Sequence, residues 1–464
     1  MSRATTPDAA APDRTRAPEP GPVRPFDFPA VTRERLDGDA SPELLVARHG
    51  DLPLVTAAVI LEGGAAAEPP GLAGIARLTV DALEAGTESR DVEALAWELE
   101  TLGVRLETSA GWDVASVGIT VHADRLDPAL ALLAEIIRRP AFPADQVERL
   151  RDEQLAEILQ RRKEPRALAA DAAARFIFHR DVPYGRPLVG SEAALRGLGP
   201  AQLRAFHADR YRAGSAALVF TGAIDRRRAR QAARDHFGDW TGEPAADVDF
   251  EVRPGVEETT VFLVHRPGSV QSEIRMGHVG VDRHHADYFP LLVMNTILGG
   301  AFTSRLNMSL RERHGFTYGA RSAFAFRRRP GPFTVDVAVA TDVTARALQE
   351  ALREVEALRT DGPTDDELDG ARDYLAGILP LTLQTTGQLA SRIGELVVYD
   401  LPVDYFASYR RRIAAVSAAD IRRVAREDVR PDQLAIVVVG DADQVRGPID
   451  ALGLGEIQVH ETLP

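Results

Sequence analysis

The chain has 464 residues, 45% apolar and 27% charged, with a formal net charge of -14 and no cysteine. That length exceeds one ordinary core, so two or more domains are expected, and the apolar share is ample for packing them. The acidic balance speaks against a general nucleic-acid binder, which shows a basic patch or stripe, and the missing cysteines exclude disulfides, thiolate metal sites and cysteine nucleophiles.

Residues 1–25 (MSRATTPDAAAPDRTRAPEPGPVRP) are rich in Ala, Pro, Arg and Asp and have no apolar h-region. They read as a disordered tail, not a secretory signal. No later stretch nears the roughly 18 uninterrupted apolar residues of a membrane span, so the cytoplasm is the default location. Within 26–240, LVTAAVILEGG reads as a strand ending at glycines. Pro69 to Glu84 places apolar side chains at Leu72, Ile75, Leu78, Ala82 and Leu83, the period of a helix. VEALAWELETLG is a second amphipathic helix, stopped by Gly103 as a C-cap. VRLETSA and ASVGITVHA then read as a strand pair.

Residues 241–258, TGEPAADVDFEVRPGVEE, mix Gly, Pro and acids without helical period and are expected to form a linker. From 259 to 464 the order repeats: EIRMGHVGV as strand, FPLLVMNTILGG and SRLNMSLRERHG as helices, FTYGARSAF and FTVDVAVA as strands. The repeat is also visible residue by residue. Ala201 to Asp225 aligns without a gap on Ala419 to Asp443, matching Arg204 with Arg422, Arg212 with Arg430, Ala217 with Ala435, Val219 with Val437, Gly222 with Gly440 and Asp225 with Asp443. Each copy reads as helix, short turn, buried strand, then a glycine and an acid. The expected fold class is α+β: two homologous lobes, each a largely antiparallel sheet with helices packed on one face.

GLAGIARLTVDALEAGT, LGVRLETSAGWD, PYGRPLVGSEAAL, LGGAFTSRLNMSLRERHGFTYGA and the two strand–glycine–acid repeats, in this order, resemble the pitrilysin/insulinase family of inverted-zincin peptidases. The family includes the mitochondrial processing peptidases. Its active members carry H-x-x-E-H on the first helix of lobe one. Two histidines at i and i+4 share a helix face and reach one zinc, the glutamate activates water, and a further glutamate on a later helix completes the shell. The alignment puts Gly74 and Leu78 at the histidine positions, Arg77 at the glutamate position and Glu157, in VERLRDEQLAEIL, at the downstream glutamate position. A glycine and a leucine offer no lone pair, and an arginine is neither a base at neutral pH nor a neighbour for a cation. No metal is expected in this chain.

None of the eleven histidines forms H-x-x-E-H, H-x-x-x-H or a close cluster with acids. His284 and His285 fall in the turn-like VDRHHADY, and His179 and His207 read as satisfied or solvent-facing.

The resemblance further implies that lobe two supplies an Arg and a Tyr that complete an active site, in cis or toward a partner. Here these are Arg311, in the last turns of its helix, and Tyr318, at the start of the following strand. The tyrosine hydroxyl would donate to a developing oxyanion and the arginine would hold substrate carbonyls. Without the resemblance, the same residues also read as a solvated helix arginine and a half-buried strand aromatic. Gly299 and Gly300 stand where the processing peptidases carry a substrate-contacting glycine-rich loop, and they equally suit a helix C-cap. The strand Val104 to Ala110, which includes Thr108, corresponds to the edge to which family substrates add as an extra strand.

The implied function is the non-catalytic subunit of a heterodimeric zinc peptidase. Its partner would be a homologous H-x-x-E-H subunit that brings the zinc, and its ligand a peptide. The alternative is an inert structural or peptide-binding protein of the same fold, comparable to the respiratory-complex core subunits.

Overall fold

The computed structural model describes residues 26–462; the tail 1–25 lies outside the described residues. Among the described residues, twelve strands form two six-stranded sheets. The first contains β1 (Thr32–Arg35), β2 (Glu43–Arg48), β3 (Leu54–Leu61), β4 (Leu106–Ala110), β5 (Ala115–His122) and β6 (Ala217–Gly222). The second contains β7 (Thr260–His265), β8 (Gln271–Val279), β9 (Ala320–Phe324), β10 (Pro332–Ala340), β11 (Ala435–Gly440) and β12 (Glu456–His460).

The order β1-β2-β6-β3-β5-β4 is answered by β12-β7-β11-β8-β10-β9. In both sheets the last four strands are antiparallel, and β2 with β6, like β7 with β11, is parallel. The outermost strands break the symmetry, since β1 pairs antiparallel and β12 parallel. This is the α+β, largely antiparallel architecture expected of the duplicated sequence. Gly222 and Gly440 end the paired strands β6 and β11, and Asp225 accepts from the Arg228 N–H as the N-cap of the next helix. In the second copy the cap has moved to Asp441, two residues before the aligned Asp443.

Lobe one carries α1 (Ile75–Asp81), α2 (Val92–Leu102), α3 (Leu126–Arg138), α4 (Ala144–Lys163) and α5 (Pro165–Ile177). Val55, Ala57 and Val59 of β3 point into a core with Ile75, Leu78, Leu130 and Leu133, as the pleat requires of alternate residues. Gly103, in the left-handed region at φ 67°, ends α2 as a C-cap.

The other face of each sheet is covered as well, and by the other lobe. Leu45, Ala47, Ile60 and Val219 pack with Leu389, Ala390 and Ile393 of the lobe-two helix Thr386–Val398. Thr386 seats that helix, bonding Thr56 Oγ1 at 2.7 Å and accepting from Thr221 Oγ1 at 2.8 Å. In return, Ala169, Ala172 and Ala173 of α5 pack against Phe262, Val264, Val437 and Val439 of sheet two. This exchange explains why β6 and β11 are apolar at successive positions: every residue of both strands is buried. The packing of helices on one face, as expected for each lobe, is thus completed on the other face by a helix from the opposite lobe.

Candidate functional site

The helical pattern from Pro69 to Glu84 resolves into something shorter. α1 begins at Ile75 and passes into a tight 3-10 turn at Ala82–Ala85. Its start is set by the buried carboxylate of Glu68, which accepts the N–H groups of Gly74 at 2.9 Å and Ala76 at 3.1 Å. That cap lies six residues before Gly74, outside the spacing of a local capping box. Gly74 sits at φ +100° as the N-cap residue, not inside the helix, and Gln154 of α4 donates to its carbonyl at 3.2 Å. Burial of Glu68 pushes its pKa up to about 7.

One turn on, Arg77 faces α4. Its guanidinium holds Glu157 with two teeth, at 3.1 and 2.9 Å, and reaches Asp81 at 3.4 Å. Leu78 is fully buried in the lobe-one core. The four positions aligned with a zinc motif thus come together as a backbone turn, an ion pair and a core leucine. They do not fit a metal: the only carboxylate among them is committed to a guanidinium, and no imidazole is present.

In lobe two, the expected helices Phe289–Gly300 and Ser304–Gly315 are each interrupted. Tyr288–Asn295 widens into a π-turn over Thr296–Gly300, and Arg305–Asn307 into another over Met308–Arg313. The i to i+5 bonds from Ala301 N–H to Thr296 O and from His314 N–H to Ser309 O mark them. Gly299 is buried beneath β9, where a Cβ would meet the Ser322 nitrogen at 2.3 Å, whereas Gly300 is exposed. Both close the π-turn, so their local role is packing and termination.

Arg311 lies in the second π-turn, with its guanidinium 4.3 Å from the centroid of the exposed Phe302 ring and 3.6 Å from Glu312. Tyr318 precedes the strand instead of opening it, because β9 starts at Ala320. Its loop is held by the buried Asn307, whose Oδ1 accepts the Ala320 N–H at 2.9 Å while its Nδ2 donates to Ala301 O and Ser304 Oγ. The Tyr318 side chain is 98% exposed. Neither Arg311 nor Tyr318 lines two cavities between the lobes that flank α1 and β4, so they do not converge with α1 inside this chain.

Those cavities enclose about 720 and 630 Å³. The larger is walled by β4, including Thr108, and by the helix Thr386–Val398; the smaller holds Arg77 and Glu157. β4 is an edge strand paired only with β5. Trp112 and Arg327 belong to the walls of both cavities.

The residues that sequence reasoning missed are Arg327, Arg328 and Arg329, on the hairpin between β9 and β10. The hairpin reaches across to lobe one. Arg328 pairs with Glu62 at 2.6 and 2.8 Å and donates to Val398 O, and its backbone N–H donates to Asp113. The Arg329 N–H donates to the Tyr184 hydroxyl, which in turn donates to Asp113. Three successive arginines at a hairpin tip were the available signal.

The histidines do other work. Half-buried His207 donates from Nε2 to Ile137 O, with its pKa lowered by desolvation, and His179 lies 3.3 Å from Asp181. His285 sits 3.8 Å from Asp428, in a group with Asp287 whose carboxylate is taken by Arg423.

Against known families, residues 46–191 match insulinase (peptidase family M16), and residues 198–375 match the peptidase M16 inactive domain. An uncharacterised zinc protease of Mycobacterium tuberculosis is 27% identical over 367 residues, covering 78% of this chain and 83% of its own. The mitochondrial-processing peptidase subunit beta of Lentinula edodes is 24% identical over 410 residues, 84% of this chain and 86% of its own. A peptidase M16 inactive domain protein from Pseudomonas fluorescens superposes with a TM-score of 0.82 at 26% identity, covering 89% of this chain and 98% of that one. A protease from Helicobacter pylori superposes at 0.81 with 17% identity, a likeness of fold alone.

Proposed function

The chain belongs to the insulinase (M16) peptidase family, and from that premise we propose that it is the non-catalytic half of a two-chain zinc peptidase. The observation that carries this reading is the bidentate Arg77–Glu157 pair at the position of the family's metal site. A guanidinium there opposes a cation and spends the one available carboxylate. The metal and the general base then belong to a homologous partner bearing H-x-x-E-H.

This chain's contribution is the rim formed by Arg311 and Tyr318. Tyr318 points into solvent and is held by the Asn307 framework, which suits a side chain that meets its target on another subunit. Its hydroxyl would donate to the oxyanion that develops at the scissile carbonyl, and Arg311 would hold neighbouring substrate carbonyls. The zinc-protease and processing-peptidase names of the relatives support a peptidase setting.

The test is co-expression with a homologue of similar length that carries H-x-x-E-H, followed by peptide cleavage. Cleavage by the pair and by neither chain alone is expected. A stable pair that never cleaves would favour the inert scaffold instead. Cleavage by this chain alone, with bound zinc, would overturn the assignment of α1.

A further inference from the structure

Of the three hairpin arginines, two are answered by carboxylates. Arg328 pairs with Glu62, and Arg329 with Asp249 at 2.7 Å. Among the described residues Arg327 has no carboxylate within ion-pair distance and no side-chain hydrogen bond, and its Nη1 is buried without a partner. It is held by cation–π contacts, 4.2 Å from the Trp112 centroid and 4.5 Å from that of Tyr184. Such contacts attract the charge without using the guanidinium N–H donors on a carboxylate. The nearest acid acting on it, Asp113, already accepts from the Tyr184 hydroxyl and the Arg328 N–H. Burial of the charge pushes the Arg327 pKa down to about 10, the sign of a cation short of compensation.

Its position gives that deficit a use. Arg327 and Trp112 form the wall common to these two inter-lobe cavities, so a chain running from the β4 edge toward Arg77 passes them. We propose that Arg327 is a carboxylate-recognition residue of the inter-lobe cleft, selecting peptides that bring an acidic side chain or a free C-terminus to this point. The proposal rests on the peptide-binding role given above and names its substrate class. It also runs against the overall charge of -14, which by itself would favour basic ligands. Arg166 adds a second cation to the smaller cavity, whereas Arg77, Arg161, Arg275 and Arg321 there are each paired with acids.

The experiment uses the full chain and three fluorescently labelled peptides of one extended sequence. One carries a central Glu and an amidated C-terminus, one a central Gln and a free C-terminus, and one a central Gln and an amidated C-terminus. Anisotropy titration is expected to give at least about tenfold tighter binding for one or both carboxylate peptides than for the neutral one, the scale of a charge-assisted pair. Whichever is tighter identifies the source of the carboxylate. Arg327→Gln is expected to abolish the difference while the neutral peptide still binds, and Arg327→Lys to keep part of it. Equal binding of all three peptides by the unmodified chain overturns the proposal whether or not the variants fold. Discrimination that survives in Arg327→Gln overturns it too. Equal binding leaves the peptide-cleft reading standing, while failure of every peptide to bind removes both.

Discussion

Arg77 of α1 and Glu157 of α4 hold each other by a hydrogen bond of 3.1 Å and an ion-pair contact of 2.9 Å, so the gap between these helices is closed by an ion pair. The local backbone has adapted to that arrangement. Gly74 lies at φ +100°, and a Cβ there would stand 3.0 Å from the Gly190 Cα and from Gln154 Nε2. Restoring the motif with Gly74→His, Arg77→Glu and Leu78→His is therefore expected to fail as a metal site. Gly74→His alone should cost about 1–3 kcal/mol for its backbone conformation. Leu78→His should add a similar loss by burying an unpaired imidazole, of order 1–3 kcal/mol. Calorimetry and zinc analysis of the triple variant check this. One tightly bound zinc with an unchanged melting temperature would refute it.

The arginine hairpin predicts how the lobes are fastened. Arg328 is half-buried and reaches Glu62 and the Val398 carbonyl together, joining the β9–β10 hairpin to β3 and to the exchanged helix. Glu62→Gln and Arg328→Met should each lower stability by roughly 2 kcal/mol, since each strands a partly desolvated partner. The double variant should lose clearly less than the sum. Urea unfolding of the four proteins gives the coupling, and strict additivity would mean that the pair does not act as a clasp.

Glu68 makes a pH prediction. Its folded pKa, about 7, stands above the ordinary carboxylate value because burial disfavours the charge more than two backbone N–H groups favour it. Below the unfolded pKa of about 4.5 both states are protonated and its contribution is fully present. As pH rises toward 7 the unfolded chain ionises first, so stability falls, by on the order of 3 kcal/mol, and then levels. Glu68→Gln should flatten that slope between pH 5 and 7. A slope unchanged by the substitution would place the titration elsewhere.

The parts of the molecule that were legible from the sequence are those set by local pattern. Strand β3, helix α2 with its Gly103 cap and the helix–turn–strand repeats ending at Gly222 and Gly440 all follow from periodicity and turn chemistry. The repeat also carried the α+β class. What escaped was fixed by distant partners. α1 starts late because Glu68 caps it from six residues away. Tyr318 misses the strand because Asn307, thirteen residues before Ala320, holds the N–H that opens β9. The exchange of α5 and Thr386–Val398 between sheets is invisible to any window, although the successive apolar residues of β6 and β11 hinted at two covered faces. The Arg327–Arg329 tip resembles a solvated charge run until lobe one is placed beneath it.

Tyr318 and Asn307 separate function from framework. Tyr318 is 98% exposed, so Tyr318→Phe should leave stability within about 0.5 kcal/mol of the parent. In the cleaving pair it should lower kcat by on the order of a hundredfold with little change in KM, as expected when a single oxyanion donor is removed. Asn307 touches no solvent-facing target. Asn307→Ala strands the Ala320 N–H and releases Ala301 and Ser304, so it should cost about 1–3 kcal/mol and loosen the Tyr318 loop. Its effect on cleavage should then shrink at lower temperature as the loop is restored, while that of Tyr318→Phe persists. If Tyr318→Phe cleaves at the parental rate, the exposed hydroxyl has no catalytic part, and the rim serves only to seat the partner.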